Sequence, residues 1–206
     1  MIKNNNISYM DKEDILGYII IILVLFISYK IYIDSDIFQL KCVVSDVNGN
    51  KYCVRERKNI KSASNLLATT ADKMKKLVIY VNEKYENKDN VNRLVKKFNP
   101  KKIVETLPTS EYTAYSENKG QKIAFCLNKK KENDNNLIDE NTLMFVALHE
   151  MAHVASKSIG HNTEFWDNFK FLIEEATEAQ LYNPIDYSKT NQEYCGMNIT
   201  SSPYYN

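Results

Sequence analysis

The chain is poor in arginine, glycine, proline and histidine, with 3, 5, 4 and 3 residues respectively among 206. So little glycine and proline excludes collagen-like and Gly/Pro-rich disordered architectures. Cys42, Cys53, Cys126 and Cys195 form no Cys-x-x-Cys pair, which argues against a cysteine-based zinc ribbon. An excess of one charge is also missing: 27 basic residues stand against 26 acidic ones, a formal net charge of +1. Nucleic-acid binders usually carry a basic excess or stripe, so no nucleic-acid partner is expected. The pairs Lys75-Lys76, Lys96-Lys97 and Lys101-Lys102 and the run Lys129-Lys130-Lys131 are scattered between apolar segments and read as solvated faces. Lysine, asparagine, isoleucine and tyrosine are abundant instead, the residue usage of an AT-rich genome.

One long apolar run is present. Ile15 to Tyr29 carries no charge, and continuing to Ile33 adds only Lys30. That length matches the ~20 residues a bilayer requires, and a lysine near a helix end can snorkel to the headgroups. Tyr18, Tyr29 and Tyr32 fall where interfacial aromatics are favoured. A cleaved signal peptide would have a cationic start, whereas Lys3 and Lys12 are offset by Asp11, Glu13 and Asp14; no small-x-small cleavage site follows. The expectation is an uncleaved single-pass anchor within residues 1–36, touching the membrane through 15–33, and one domain over 37–206. Orientation stays open, because Lys3 and Lys12 on one side balance Lys30 and Lys41 on the other. Asn6 and Asn198 each begin an Asn-x-Ser/Thr sequence, and glycosylation at Asn198 would settle the orientation.

Beyond the anchor, Leu40–Val44 and Tyr52–Val54 flank Asn48-Gly49, a strong hairpin signal. Cys42 and Cys53 fall on its facing strands, within reach of a bridge; four buried free thiols are the other reading. Helical spacing of Ala63, Leu66, Leu67, Thr70, Met74, Leu77, Val78 and Val81 predicts one helix. Val91, Leu94, Val95 and Phe98 predict a second, stopped by Asn99-Pro100. A second hairpin runs from Tyr112–Tyr115 through a turn at Asn118-Lys119-Gly120 to Ile123–Leu127, followed by a polar loop from Asn128 to Asn136. A helix over about 140–158, capped by Asp139 or Asn141, comes next. A last amphipathic helix carries Phe165, Phe169, Leu172, Ile173 and Ala176, and the tail from Tyr182 shows little periodicity. No internal repeat is visible.

The 140–158 helix contains His149-Glu150-Met151-Ala152-His153. Residues four apart on a helix project from one face about 6 Å apart along the axis, so two imidazoles can converge on one ion. Glu150 cannot easily ligate that ion but can reach a water on it and take its proton. The surrounding helix is apolar nearly all round, where histidine and glutamate are costly without partners. All three histidines of the chain, His149, His153 and His161, fall within thirteen residues. Zinc is therefore the expected cofactor, Glu150 the catalytic residue, and His161 the third ligand. Were the helix unbroken, His161 would lie about 12 Å beyond His153. The chain must break, and Gly160 can take the left-handed backbone that ends helices, with Asn162 or Thr163 capping the next. Glu174 or Glu175 is the competing third ligand.

This motif, followed by Gly160-His161-Asn162-Thr163-Glu164-Phe165-Trp166, resembles the zincin metallopeptidases, and most closely the WLM and SprT-like group. Over about residues 100 to 200, including Leu107–Tyr112, the sequence is similar to WLM-like proteins encoded by large DNA viruses. Seven residues separate His153 from His161, against five in the metzincin pattern. The resemblance implies peptide-bond hydrolysis with zinc, a peptide or protein substrate, and an α+β fold. The transmembrane helix expected from the apolar run would precede this domain, with its small antiparallel sheet and central His-Glu-x-x-His helix. The resemblance also implies an edge strand that holds substrate extended, for which Ile123–Leu127 is the candidate. Met197 in Tyr194-Cys195-Gly196-Met197 could sit beneath the metal as in a Met-turn, although an ordered tail packed on the core is the stronger reading. Trp166 reads as a core anchor. Two functions follow: a membrane-anchored zinc metallopeptidase, or a zinc-stabilised binding module without turnover. Glu150 favours the first, since a purely structural site needs no carboxylate beside its ligand.

Overall fold

The computed structural model describes residues 11–130 and 136–205. Lys3, the Asn6 sequence, Lys131 and the 131–135 part of the expected loop lie outside the described residues. The chain opens with α1 (Lys12–Asp34), in which no residue is buried. It is long and apolar enough to cross a membrane, with a mean hydropathy of 2.3 over its most apolar window. A single turn, α2 (Asp36–Gln39), leads into β1 (Lys41–Val44) and β2 (Lys51–Val54). These strands pair antiparallel with Cys42 opposite Cys53, and the two are bridged. Gly49 turns the hairpin at φ +70°, a conformation that suits glycine.

Helices α3 (Ile60–Lys84) and α4 (Asp89–Lys97) follow, each burying one apolar stripe. Chain direction changes at Asn99-Pro100, as the residue before proline disfavours helix. A three-stranded sheet is built from β3 (Ile103–Glu105), β4 (Ala114–Glu117) and β5 (Lys122–Phe125), in the order β3-β5-β4. Here two expectations need correction. The sheet is mixed, with β3 parallel and β4 antiparallel to β5. And Ile123–Leu127 is no edge: β5 is the middle strand, with Ile123, Ala124 and Phe125 fully buried. A continuous apolar run marks a strand covered on both faces, whereas an edge strand tolerates polar residues. The outer strands are β3 and β4.

Helix α5 (Glu140–Ala155) is the centre of the domain, packed against α3, α4 and α6 (Thr163–Glu178). Twelve of its sixteen residues are buried. Each buried Leu or Phe side chain contributes roughly 1.5–3 kcal/mol, so this helix is held from every side. Asp139 caps it, accepting from the Thr142 amide at 2.9 Å, while Asn141 instead ties down Asn183. The tail, expected to be irregular, forms a last hairpin of β6 (Gln192–Tyr194) and β7 (Met197–Ile199) around Cys195-Gly196. Cys195 is bridged to Cys126, so all four cysteines are paired. Inside, Glu105 is buried beside Arg55 and Arg57 and joins β2 to β3; burial raises its pKa despite both guanidinium groups.

Candidate metal centre

Residues His149 and His153 project from one face of α5, one turn apart, with ring centroids 5.0 Å apart. The helix stops before the expected Gly160 break. Ser156 is extended (φ −82°, ψ 141°), and its hydroxyl bonds the Ala152 carbonyl at 2.7 Å. That early stop leaves seven residues, 156–162, to turn back over the site. Gly160 does adopt a left-handed backbone, at φ +84°, immediately before His161. Asn162 then caps α6 by accepting from the Phe165 amide at 3.2 Å. The result brings His161 Nε2 to 3.1 Å from both His149 Nε2 and His153 Nε2.

Three nitrogens of this kind fit one ion. Tetrahedral zinc with Zn–N of 2.0–2.1 Å separates its nitrogens by about 3.3 Å. His149, His153 and His161 form the one group of possible ligands found together among the described residues. Burial, with the neighbouring imidazoles, lowers His149 to about 3 and His153 to about 4. Both are therefore neutral at pH 7, the form that offers a lone pair to a metal. The competing carboxylates are elsewhere. Glu175 is buried against Lys84 (2.9 Å) and Tyr85 (2.6 Å), and Glu174 is on the exposed face of α6.

The turn that carries His161 is fastened at several points. Glu164 accepts from the Lys157 amide (2.8 Å) and from the amide and hydroxyl of Ser158 (3.0 and 2.6 Å). Those bonds, with Arg93 at 3.2 Å, hold its carboxyl at about 2. Arg93 also donates to the Ala155 carbonyl at 2.7 Å, which satisfies the end of α5. From the other side, Lys119 donates to the carbonyls of His153, Ser156 and Ser158. It reaches them because Asn118, Lys119 and Gly120 are all left-handed in the β4–β5 turn. A Cβ on Gly120 would meet Val154 Cγ1 at 2.8 Å, so only glycine lets that turn lie against α5.

Trp166 corrects another expectation. It is 44% exposed rather than a core anchor, and its indole donates to the His161 carbonyl at 3.1 Å beside the imidazole. Phe165, fully buried, packs against all three histidine rings at 4.4–4.8 Å. Met197 is half exposed, its sulfur 3.5 Å from the Thr113 hydroxyl, in keeping with a tail packed on the domain.

The histidines open into a cleft of about 510 Å³, walled on the far side by β4 through Ala114, Tyr115 and Ser116. Glu150 lines the same cleft yet is only 4% exposed, and burial raises its carboxyl to about 8. Sequence reasoning missed Lys119, Arg93 and Glu164. Lys119 and Arg93 act on carbonyls distant in sequence, and Glu164 acts on amides six and seven positions upstream, a spacing that no helix or strand pattern marks.

The WLM domain matches residues 50–203. Protein R325 of Acanthamoeba polyphaga mimivirus is 31% identical over 161 residues, spanning 76% of this chain and 81% of the relative. Protein 136R of Invertebrate iridescent virus 6 is 41% identical over 70 residues, 34% of this chain and 39% of that one. The crystal structure of Wss1 from Saccharomyces cerevisiae superposes with a TM-score of 0.45 at 21% identity, covering 62% of this chain and 88% of that chain. With three quarters of its length matched by the domain and related sequences in large DNA viruses, the chain belongs to the WLM domain family.

Proposed function

We propose that the chain is a membrane-anchored zinc metallopeptidase, with a tail and anchor in residues 1–36 and the catalytic domain in 37–206. His149, His153 and His161 hold the metal. The observation that carries this reading is the meeting of three imidazole nitrogens beside a buried carboxylate in one cleft. Bound zinc would polarise the scissile carbonyl and lower the pKa of its water to about 7. Glu150 accepts the proton released during attack and returns it to the leaving amine. Burial alone keeps Glu150 protonated near neutral pH, and a divalent cation beside it favours the ionised form the base requires. The substrate peptide lies extended along β4, the outer strand that lines the cleft with the histidines. A structural zinc site would leave the cost of burying Glu150 without purpose.

The paired cysteines support an orientation that the lysines leave open. Persistent disulfides belong to oxidising compartments, so the domain faces the lumenal or extracellular side. Asn198, exposed on β7, is then available for glycosylation.

Replacing Glu150 by glutamine tests the reading: shape is preserved and proton acceptance is lost. Zinc content should stay at the parental level while cleavage of a peptide library falls by at least the ~10²–10⁴-fold that general-base catalysis contributes. Cleavage undiminished by the change would refute the assignment of Glu150.

A further inference from the structure

The metal cleft has a neighbour. A second cleft, of about 630 Å³, shares Tyr112, Tyr115 and Ser116 with it and is walled on its far side by Asp34, the last residue of α1. This placement is fastened by two contacts. The Thr109 hydroxyl donates to the Ile33 carbonyl at 3.1 Å, and Lys122 of β5 pairs with Asp36 at 2.8 Å and with Glu117 of β4 at 3.2 Å. The end of the apolar helix is therefore tied to the strand that borders the metal site.

Side chains along β4 alternate between its two faces, as do those of any chain paired with it. Ala114 and Ser116 share one face, Tyr115 and Glu117 the other. Ala114 lines only the metal cleft, Glu117 lines only the Asp34 cleft, and Tyr115 and Ser116 between them line both. A peptide added to the open edge of β4 would thus run between the metal cleft and the cleft at the end of the anchor. If α1 spans the bilayer, residue 34 marks where the chain leaves it.

We propose that the substrate is a membrane-embedded polypeptide, cut in the extended segment just outside the bilayer on the same side as the catalytic domain. The proposal rests on the anchored-peptidase reading and adds the substrate class to it. A freely diffusing protein would gain nothing from a cleft built against the anchor. A chain emerging beside α1 meets β4 at once, with the high effective concentration of two groups held in one membrane.

The test uses the full chain reconstituted in liposomes. A soluble peptide that it cleaves is identified first. The same peptide sequence is then fused to an unrelated transmembrane helix, about 5 or about 40 residues from the membrane. The near fusion should be cut at least about tenfold faster than the far one at equal density in the membrane. Equal rates, or faster cutting of the far fusion, would overturn the proposal while cleavage of the soluble peptide leaves the peptidase reading standing. If no peptide is cut at all, the peptidase reading fails and this proposal with it. A second chain carries a Gly/Ser insertion of about 20 residues between Asp34 and Ser35, a linker of about 25 Å root-mean-square span. It should lose the near-over-far preference, each rate being taken relative to its own cleavage of the soluble peptide; keeping that preference would also overturn the proposal. Should the inserted chain fail to fold, the near-against-far comparison in the parent decides alone.

Discussion

Helices α1 and α5 are both apolar nearly all round, and their surroundings are opposite. Twelve of sixteen residues of α5 are buried by protein, whereas none of the 23 residues of α1 is. A helix without a polar face needs an apolar environment on every side. For α5 the environment is α3, α4, α6 and the sheet; for α1, under the anchored reading proposed above, a bilayer would supply it. The same contrast explains why polar residues mean different things in the two. Lys30, near the end of α1, can reach the interface by its own length. His149, Glu150 and His153 have no such escape, and in α5 they face a cleft together.

Exchanging environments gives the largest expected effect. Lysines at Ile22 and Leu25, in the middle of α1, cost about 3 kcal/mol each in the bilayer. The double substitution should release the protein from membranes under carbonate washing and leave thermal unfolding of the domain unchanged. Retention in the membrane fraction would mean that α1 is held by something other than lipid. The reciprocal change is Leu143→Ala, at a fully buried position nearly two turns before His149. It should lower the stability of the domain to denaturant by about 2–5 kcal/mol with membrane retention intact. A loss below about 1 kcal/mol would show that α5 is not the core helix the burial implies.

A subtler effect concerns the turn between α5 and α6. Glu164 is held at about 2 in the folded protein, chiefly by the Lys157 and Ser158 bonds, against an ordinary value of 4.5. A lowered pKa stabilises the fold above the unfolded value, and that contribution is lost as pH falls from about 4.5 toward 2. Acid unfolding of the parent should therefore steepen through that window, and Glu164→Gln should flatten it. Identical acid profiles for the two proteins would show that Glu164 does not fasten the turn.

Much of this was legible in the sequence because it depends on local signals. The His-Glu-x-x-His spacing, the Asn48-Gly49 turn, the Asp139 cap and the charge-free run each involve residues close in sequence. Where local signals were short or distant partners decided the outcome, reading failed. β3 has three residues and is recruited by the parallel edge of β5. The helix stop at Ser156 is set by its hydroxyl on Ala152 and by Arg93 and Lys119 on nearby carbonyls, contacts from other elements. The tail hairpin turns at Cys195 with φ +50°, unusual for a side chain with a Cβ, and the bridge to Cys126 spans 69 positions. Trp166 reads as a core anchor in the sequence, yet its indole holds the backbone of His161.

The central claim is that the three histidines form one zinc site, and metal analysis of the purified full-length protein tests it most directly. The account predicts one zinc per chain in the parent and in Glu150→Gln. It predicts that His161→Ala loses more affinity than the ~10–100-fold typical of residues that only support a ligand, while Glu174→Ala and Glu175→Ala retain the metal. A folded parent that takes up no zinc, or parental affinity in His161→Ala, would contradict it.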